Sequence, residues 1–332
     1  FPKTWNSLKH HSWKEILEHP VYAVHFNEEH WNDPEQCSSV CKRECTTGKS
    51  FVDVNRTYRG DQRLNWISKH QYGNKLAGKK ADLGSIQNTK EKIKGWSDIT
   101  TIDFGITTHC NAACSGCNRT DNATRTAQAW LKLRHLNADN LIEYINSAVE
   151  YFPNLRNIKF CGERGDPMMH PKIEFLIDTL CDTVCKDNQH SLKNLNLKIN
   201  TNGSLRNPDF YKRISRHKNI VVTWSIDDFE ETNHIYRHGI DFDNIWNNFT
   251  AFCKEGGGHN ANWDFIVFKH NWHEIPRAKE IAKKLDINSI DFKIVRQGVH
   301  RGMGGQALVE SIDDNDVEKV KKLINEDTLP NT

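Results

Sequence analysis

Residues 107–118 read TTHCNAACSGCN, with cysteines at positions 110, 114 and 117 in a C-x3-C-x2-C spacing. The run before them, DITTIDFGITT (98–108), has β character, so the thiols fall on a loop at a strand's C-terminal end. In parallel α/β folds that edge is where ligands bind. Three thiols this close can be part of a zinc site, disulfide partners, or iron–sulfur ligands. Structural zinc closes with four ligands, commonly as two C-x2-C pairs, and only one such pair stands here. A four-iron cubane held by three thiolates leaves one iron free for a substrate or cofactor. The spacing favours iron–sulfur, with zinc as the alternative.

The chain has 332 residues, 37% of them hydrophobic and 10% aromatic, enough for a sizeable core in one large or two modest domains. Its 45 Lys and Arg against 43 Asp and Glu give a net charge of +2, no footprint for a nucleic-acid backbone. No apolar run is long enough for a membrane span. The opening FPKTWNSLKHHSWKEILEHP lacks a basic stretch followed by an apolar one, so no signal peptide is expected and the expected location is cytoplasmic. Ten cysteines in such a chain point to metal or redox chemistry rather than a disulfide scaffold.

From residue 98 onward β-type runs alternate with helical patterns. The further runs are NIKFCG (157–162), LNLKINTNG (195–203), NIVVTWSID (219–227), NWDFIVFK (262–269) and SIDFKIVR (289–296). Between them, NADNLIEYINSAVEYF places Leu141, Ile142, Ile145, Ala148, Val149 and Phe152 on one helical face, with Asn137 or Asp139 as cap. PKIEFLIDTLCDTVCK starts with a helix-opening proline, and DFDNIWNNFTAFCKEGGG is ended by glycines. With PDFYKRISRH and IPRAKEIAKKL, this alternation predicts βαβ units on a parallel sheet, an α/β fold. The expected division is an accessory region over 1–97, a core over 98–300 and a helical tail over 301–332. Cys181, Cys185 and Cys253 read as small core residues.

The ordered motifs resemble the radical S-adenosylmethionine (SAM) enzymes. The C-x3-C-x2-C loop follows the first strand. CGERGDP (161–167) after the second is similar to the family's Gly-Gly-Glu segment, and TNGSL (201–205) after the third to its Thr-Asn-Gly turn. SIDDFEETNHIYR (225–237) on the fourth is similar to a Ser-x-Asp…Arg pattern of its peptide-modifying branches. The resemblance implies a partial (β/α)6 TIM-like barrel with parallel strands, plus a small N-terminal cysteine-containing accessory region. It implies that Cys110, Cys114 and Cys117 bind a 4Fe-4S cluster whose free iron chelates SAM. Glu163 would then meet the SAM ammonium, with Gly162 allowing close approach and Asn202 shaping the turn. Ser225 and Asp227 would face the ribose, and Arg237 the methionyl carboxylate. Two positions depart from the pattern: Cys161 replaces the first glycine, and Gly116 stands where an aromatic residue is common. Without that ring, the adenine would rest on backbone and on side chains such as Ile266 and Val295.

Cys37, Cys41 and Cys45, in CSSVCKREC, follow a segment that weakly resembles the SPASM and twitch accessory domains of the family. The likeness implies a second iron–sulfur cluster; zinc, or reduced cysteines on one helix face, is the plainer reading. His109, beside Cys110, is a candidate site neighbour.

The implied activity is reductive cleavage of SAM to methionine and a 5′-deoxyadenosyl radical, which takes a hydrogen from a substrate. A peptide or protein side chain is the expected substrate, and an electron donor such as flavodoxin or ferredoxin the expected partner. The alternatives are a radical SAM enzyme acting on a nucleic acid or small metabolite, and a non-enzymatic zinc-binding module.

Overall fold

The computed structural model describes residues 11–17, 99–161, 164–183, 195–294 and 309–326. Cys37, Cys41, Cys45, Gly162, Glu163, Cys185 and Val295 lie outside the described residues. The chain divides into two compact units, residues 1–100 with 139–155, and 101–138 with 156–332.

In the smaller unit, helix α1 (Ala138–Tyr151) follows from its apolar spacing. Leu141, Ile145 and Ala148 are solvent-free, at the intervals that line one helical face. The Trp13 indole N–H donates to the Tyr144 carbonyl at 2.9 Å, and its ring meets Phe152 edge-on at 5.3 Å. A buried indole thereby keeps its one polar group paired.

The larger unit is built on six parallel strands: β1 (Thr101–Phe104), β2 (Asn157–Phe160), β3 (Asn196–Thr201), β4 (Ile220–Ser225), β5 (Ala261–Val267) and β6 (Ser289–Ile294). Each strand pairs with the next in sequence, in the order β1-β2-β3-β4-β5-β6, all parallel. Successive winding without reversal is the topology of a TIM barrel, and here β1 and β6 end the order, leaving it open. The architecture is the partial (β/α)6 TIM-like fold expected from the sequence.

Five further helices stand where the patterns put them: α2 (Ile173–Asp178), α3 (Pro208–Ile214), α4 (Phe242–Phe252), α5 (Ile275–Lys284) and, in the tail, α6 (Val317–Asn325), while the short helices Trp13–Leu17 and Asn233–Tyr236 have no counterpart among the patterns. Asn207 caps α3 through a bond from Phe210 N–H at 2.9 Å, with Pro208 in its first turn. Helix α2 starts two residues after Pro171, with Lys172 at its N-cap, and follows a 3-10 turn (Pro167–Met169) that Asp166 caps. Lys279 of α5 donates to the Leu323 and Ile324 carbonyls, at 2.6 and 2.8 Å, closing the end of α6.

Burial along the strands alternates. Ile158 and Phe160, Leu197 and Ile199, Ile220, Val222 and Trp224, and Trp263 and Phe265 are buried on one face. Helices close that face: Trp224 packs on Tyr211 of α3 at 4.8 Å and on Phe249 and Phe252 of α4 at 5.2 and 5.8 Å. Burying each such side chain contributes about 1.5–3 kcal/mol. The opposite, inner face carries the half-buried Lys159, Lys198, Asn200, Thr223, Ser225 and Asp264. That polar inner face distinguishes the sheet from a parallel sheet buried on both sides. Cys181 and Cys253 are buried, as expected of core thiols.

Candidate active site

The chain leaves β1 into the cysteine loop, which is tied down at many points. Ala113 and Ser115 N–H groups donate to the His238 and Tyr236 carbonyls, at 2.9 and 3.0 Å. Ser115 Oγ lies 3.0 Å from His238 Nε2 and accepts from Arg125 Nη1 at 3.2 Å. A tight turn follows, with Cys117 N–H on the Cys114 carbonyl at 3.2 Å. Gly116 sits in this turn at φ 75° and donates its N–H to Asn122 Oδ1 at 3.0 Å. A left-handed backbone there explains glycine in place of the aromatic residue common at this position.

All three thiols are free, Cys114 buried and Cys110 and Cys117 half-buried. Asn202 Nδ2 reaches Cys110 Sγ at 3.8 Å, and Arg237 Nη1 reaches Cys114 Sγ at 3.8 Å. Burial, seconded by Asp166, pushes the Cys110 thiol up to about 12. Cys114 is also raised, by burial and by the charge of Cys117, against the pull of Arg237. A bound metal or a nearby positive charge favours the thiolate of a buried cysteine. Among the described residues, no three His, Cys, Asp or Glu side chains close around a single ion.

Behind the loop stands Asp166, which the sequence reading did not single out. It is 4% exposed and accepts from Met168 N–H at 2.9 Å, Asn202 N–H at 2.7 Å and Thr201 Oγ1 at 2.9 Å. Burial raises its carboxyl, and these bonds oppose the rise. Its own N–H donates to the His109 carbonyl at 2.8 Å, joining the segment after β2 to the cysteine loop. Asp before proline in GDP is a capping signal, and that could have identified it. Gly165 presses even closer: a Cβ there would lie 2.4 Å from the Thr107 oxygen and 2.7 Å from the His109 oxygen.

Asn202 does more than shape a turn. Its amide donates to Asn111 Oδ1 at 3.0 Å, while its own Oδ1 accepts Ser204 N–H at 2.9 Å. Asn111 in turn donates to Ser204 Oγ at 2.7 Å, so the residue after Cys110 is held from the β3 exit.

At the β4 exit, Ser225 stands half-buried on the inner face, with no polar side-chain partner among the described residues. Asp227 is 1% exposed; Oδ2 accepts from Arg237 Nε at 2.6 Å and Oδ1 from Ile266 N–H at 2.8 Å. Burial opposes the Arg237 charge, but Asp227 and Cys114 outweigh it and hold the guanidinium well above its ordinary range. His109 stacks on His135 with centroids 4.3 Å apart, so its ring is engaged beside Cys110. The fold thus gathers Cys110 with Asn202, Cys114 with Arg237, and Arg237 with Asp227, from the exits of β1, β3 and β4. Among the described residues no helix is long and apolar enough to cross a membrane.

Residues 104–282, more than half of the chain, match the family model described as the Radical SAM superfamily. No curated protein matches the sequence. Among solved structures the chain is similar to Streptococcus suis SuiB, with a TM-score of 0.50 and 15% identity over 73% of this chain and 51% of SuiB. SuiB bound to S-adenosylmethionine gives 0.51 and 13%, over 80% of this chain and 57% of SuiB. SuiB bound to the precursor peptide SuiA gives 0.51 and 14%, over 84% and 62%. At these identities the likeness is one of fold, and the chain spans about half the length of SuiB in the first of these matches.

Proposed function

The chain belongs to the radical SAM superfamily and is an enzyme of that class, and we propose that its substrate is a peptide or protein side chain from which it removes a hydrogen. The family's cofactors are a 4Fe-4S cluster and SAM. Cys110, Cys114 and Cys117 would hold the cluster, which when bound supplies the electron that splits SAM into methionine and a 5′-deoxyadenosyl radical.

The observation that carries the assignment is the set of three free thiols on the β1 exit loop, with the Asn202 amide and Arg237 guanidinium each 3.8 Å from a sulfur. Arg237 binds Asp227 through Nε, which leaves part of its fork to pair with the SAM carboxylate. Asp227 positions that guanidinium, and the lone pairs left on its two oxygens are assigned to the ribose. The Ser225 hydroxyl remains open to the ribose. Glu163 and Gly162 are assigned the SAM ammonium from their place in the motif. The substrate lies over the polar inner face of the barrel. There Lys159 pairs with Asp103 at 3.4 Å, whereas Lys198 meets no carboxylate among the described residues. The SuiB complex with its precursor peptide supports the peptide reading.

Anaerobic reconstitution with iron and sulfide tests the assignment. Absorbance near about 400 nm and SAM-dependent 5′-deoxyadenosine are expected; zinc occupancy with no deoxyadenosine under dithionite refutes it. Cys37, Cys41 and Cys45 are assigned a second cluster. Changing Cys110, Cys114 and Cys117 together to Ala then leaves residual iron, and zero iron in that variant removes the second cluster.

A further inference from the structure

The segment after the cysteine loop folds back along it. Thr107 pairs with His135, Thr108 N–H donates to the Arg134 carbonyl at 3.0 Å, and Thr108 Oγ1 donates to the Lys132 carbonyl at 2.8 Å. This segment is open to solvent. Trp130 is 57% and Leu133 50% exposed, two of the three large apolar side chains exposed among the described residues. Lys132, Arg134 and Arg164 are exposed as well, and the Arg164 guanidinium lies 5.5 Å over the Trp130 ring.

None of these three cations meets a carboxylate among the described residues. In the same unit Arg213 is answered by Glu174 at 3.1 Å, Arg216 by Glu255 at 3.0 Å and Lys269 by Glu310 at 3.1 Å, whereas the exposed Lys218, Lys254, Lys283 and Lys284 also meet no carboxylate among the described residues, so the exposed apolar side chains are what set this patch apart. An exposed tryptophan with two arginines beside it has the residue types of a protein-binding hot spot, and cations that meet no carboxylate among the described residues suit an acidic partner. Its position adds a second argument. His135, next to Arg134, stacks on His109 at 4.3 Å, and His109 adjoins Cys110. The patch therefore lies one ring contact and two peptide bonds from a cluster-ligand candidate. Each reductive cleavage of SAM in the proposed reaction starts from a centre reduced by one electron, which has to be supplied from outside the chain at least once.

We infer that Trp130, Lys132, Leu133, Arg134 and Arg164 form the docking surface for an acidic one-electron carrier protein; this rests on the proposed function. A carrier seated there is oxidised by one electron, and the centre held by Cys110, Cys114 and Cys117 is reduced by one, with no bond made or broken at the surface. A nucleic acid fits less well. One face of the Trp130 ring is already covered by Arg164, Leu133 offers a base nothing to stack on, and the whole chain carries only +2.

The test uses the reconstituted full chain with flavodoxin as the acidic carrier. The K132E/R134E/R164E variant is expected to bind flavodoxin at least about tenfold more weakly at low salt and to lose the salt dependence of binding. Its iron content and its dithionite-driven 5′-deoxyadenosine formation stay at the wild-type level. Trp130→Ser weakens binding while leaving the salt dependence in place. Flavodoxin binding equal to wild type in the triple variant overturns the proposal, as does loss of affinity for a transfer RNA with flavodoxin binding retained. If wild type forms no deoxyadenosine with dithionite, the proposed function fails instead, and the flavodoxin binding difference still judges the surface by itself.

Discussion

Arg237 Nε and Asp227 Oδ2 meet at 2.6 Å, 9% and 1% exposed, where the fourth strand's exit comes beside the cysteine loop. Removing one member of such a buried pair strands the other's charge. Asp227→Asn is therefore expected to lower unfolding free energy by about 3 kcal/mol, measured by urea denaturation. It also weakens SAM binding in calorimetry, because the guanidinium loses its anchor; unchanged stability and affinity would show that the pair is incidental.

Gly165 has no room for a side chain between two backbone oxygens of the cysteine loop. Gly165→Ala must push Thr107 and His109 away, at about 1–3 kcal/mol. Because that loop carries the thiols, the variant should also retain less iron after desalting. A wild-type melting point with full iron retention would contradict this close approach.

Gly116 at φ 75° permits no cheap side chain. Gly116→Ala should cost about 1 kcal/mol, and Gly116→Phe, which restores the aromatic residue common in the family, should give no tighter SAM binding. Tighter binding by the phenylalanine variant, read by calorimetry, would mean that the turn tolerates the ring.

Asp228 is 1% exposed, and burial pushes its carboxyl up to about 6; its Oδ2 lies 3.6 Å from His270 Nε2. A carboxyl raised in the folded state favours folding in its neutral form, so its contribution is full below the unfolded value near about 4 and is lost as pH rises through about 6. Asp228→Asn removes that loss. The variant should gain about 2 kcal/mol on wild type between pH 4 and pH 7, seen as a flatter stability–pH curve. Parallel curves for the two proteins would rule out Asp228 as the group responsible.

Much of the architecture was legible along the chain. Six β-type runs and five helical patterns appear as six parallel strands and the helices between them, because alternation and helical spacing are written every few residues and burial enforces them. The C-x3-C-x2-C loop was legible for the same reason: its spacing is local, and its place after a strand fixes the edge of the sheet at which it stands. Gly116 could be seen as a departure, but its cause, a left-handed turn held by Asn122, could not.

What the tertiary structure decided is who faces whom. Asp166 binds the TNG turn and the cysteine loop at once, Gly165 is squeezed by that loop, and Asn202 holds Asn111 across 91 positions of sequence. Asp227, placed by the sequence only within a motif, is joined by the structure to Arg237 and to the Ile266 N–H. These pairings depend on strand register and on which loops converge at one barrel rim. Periodicity within a segment determines how that segment folds, and only the packed sheet brings distant polar groups close enough to satisfy one another.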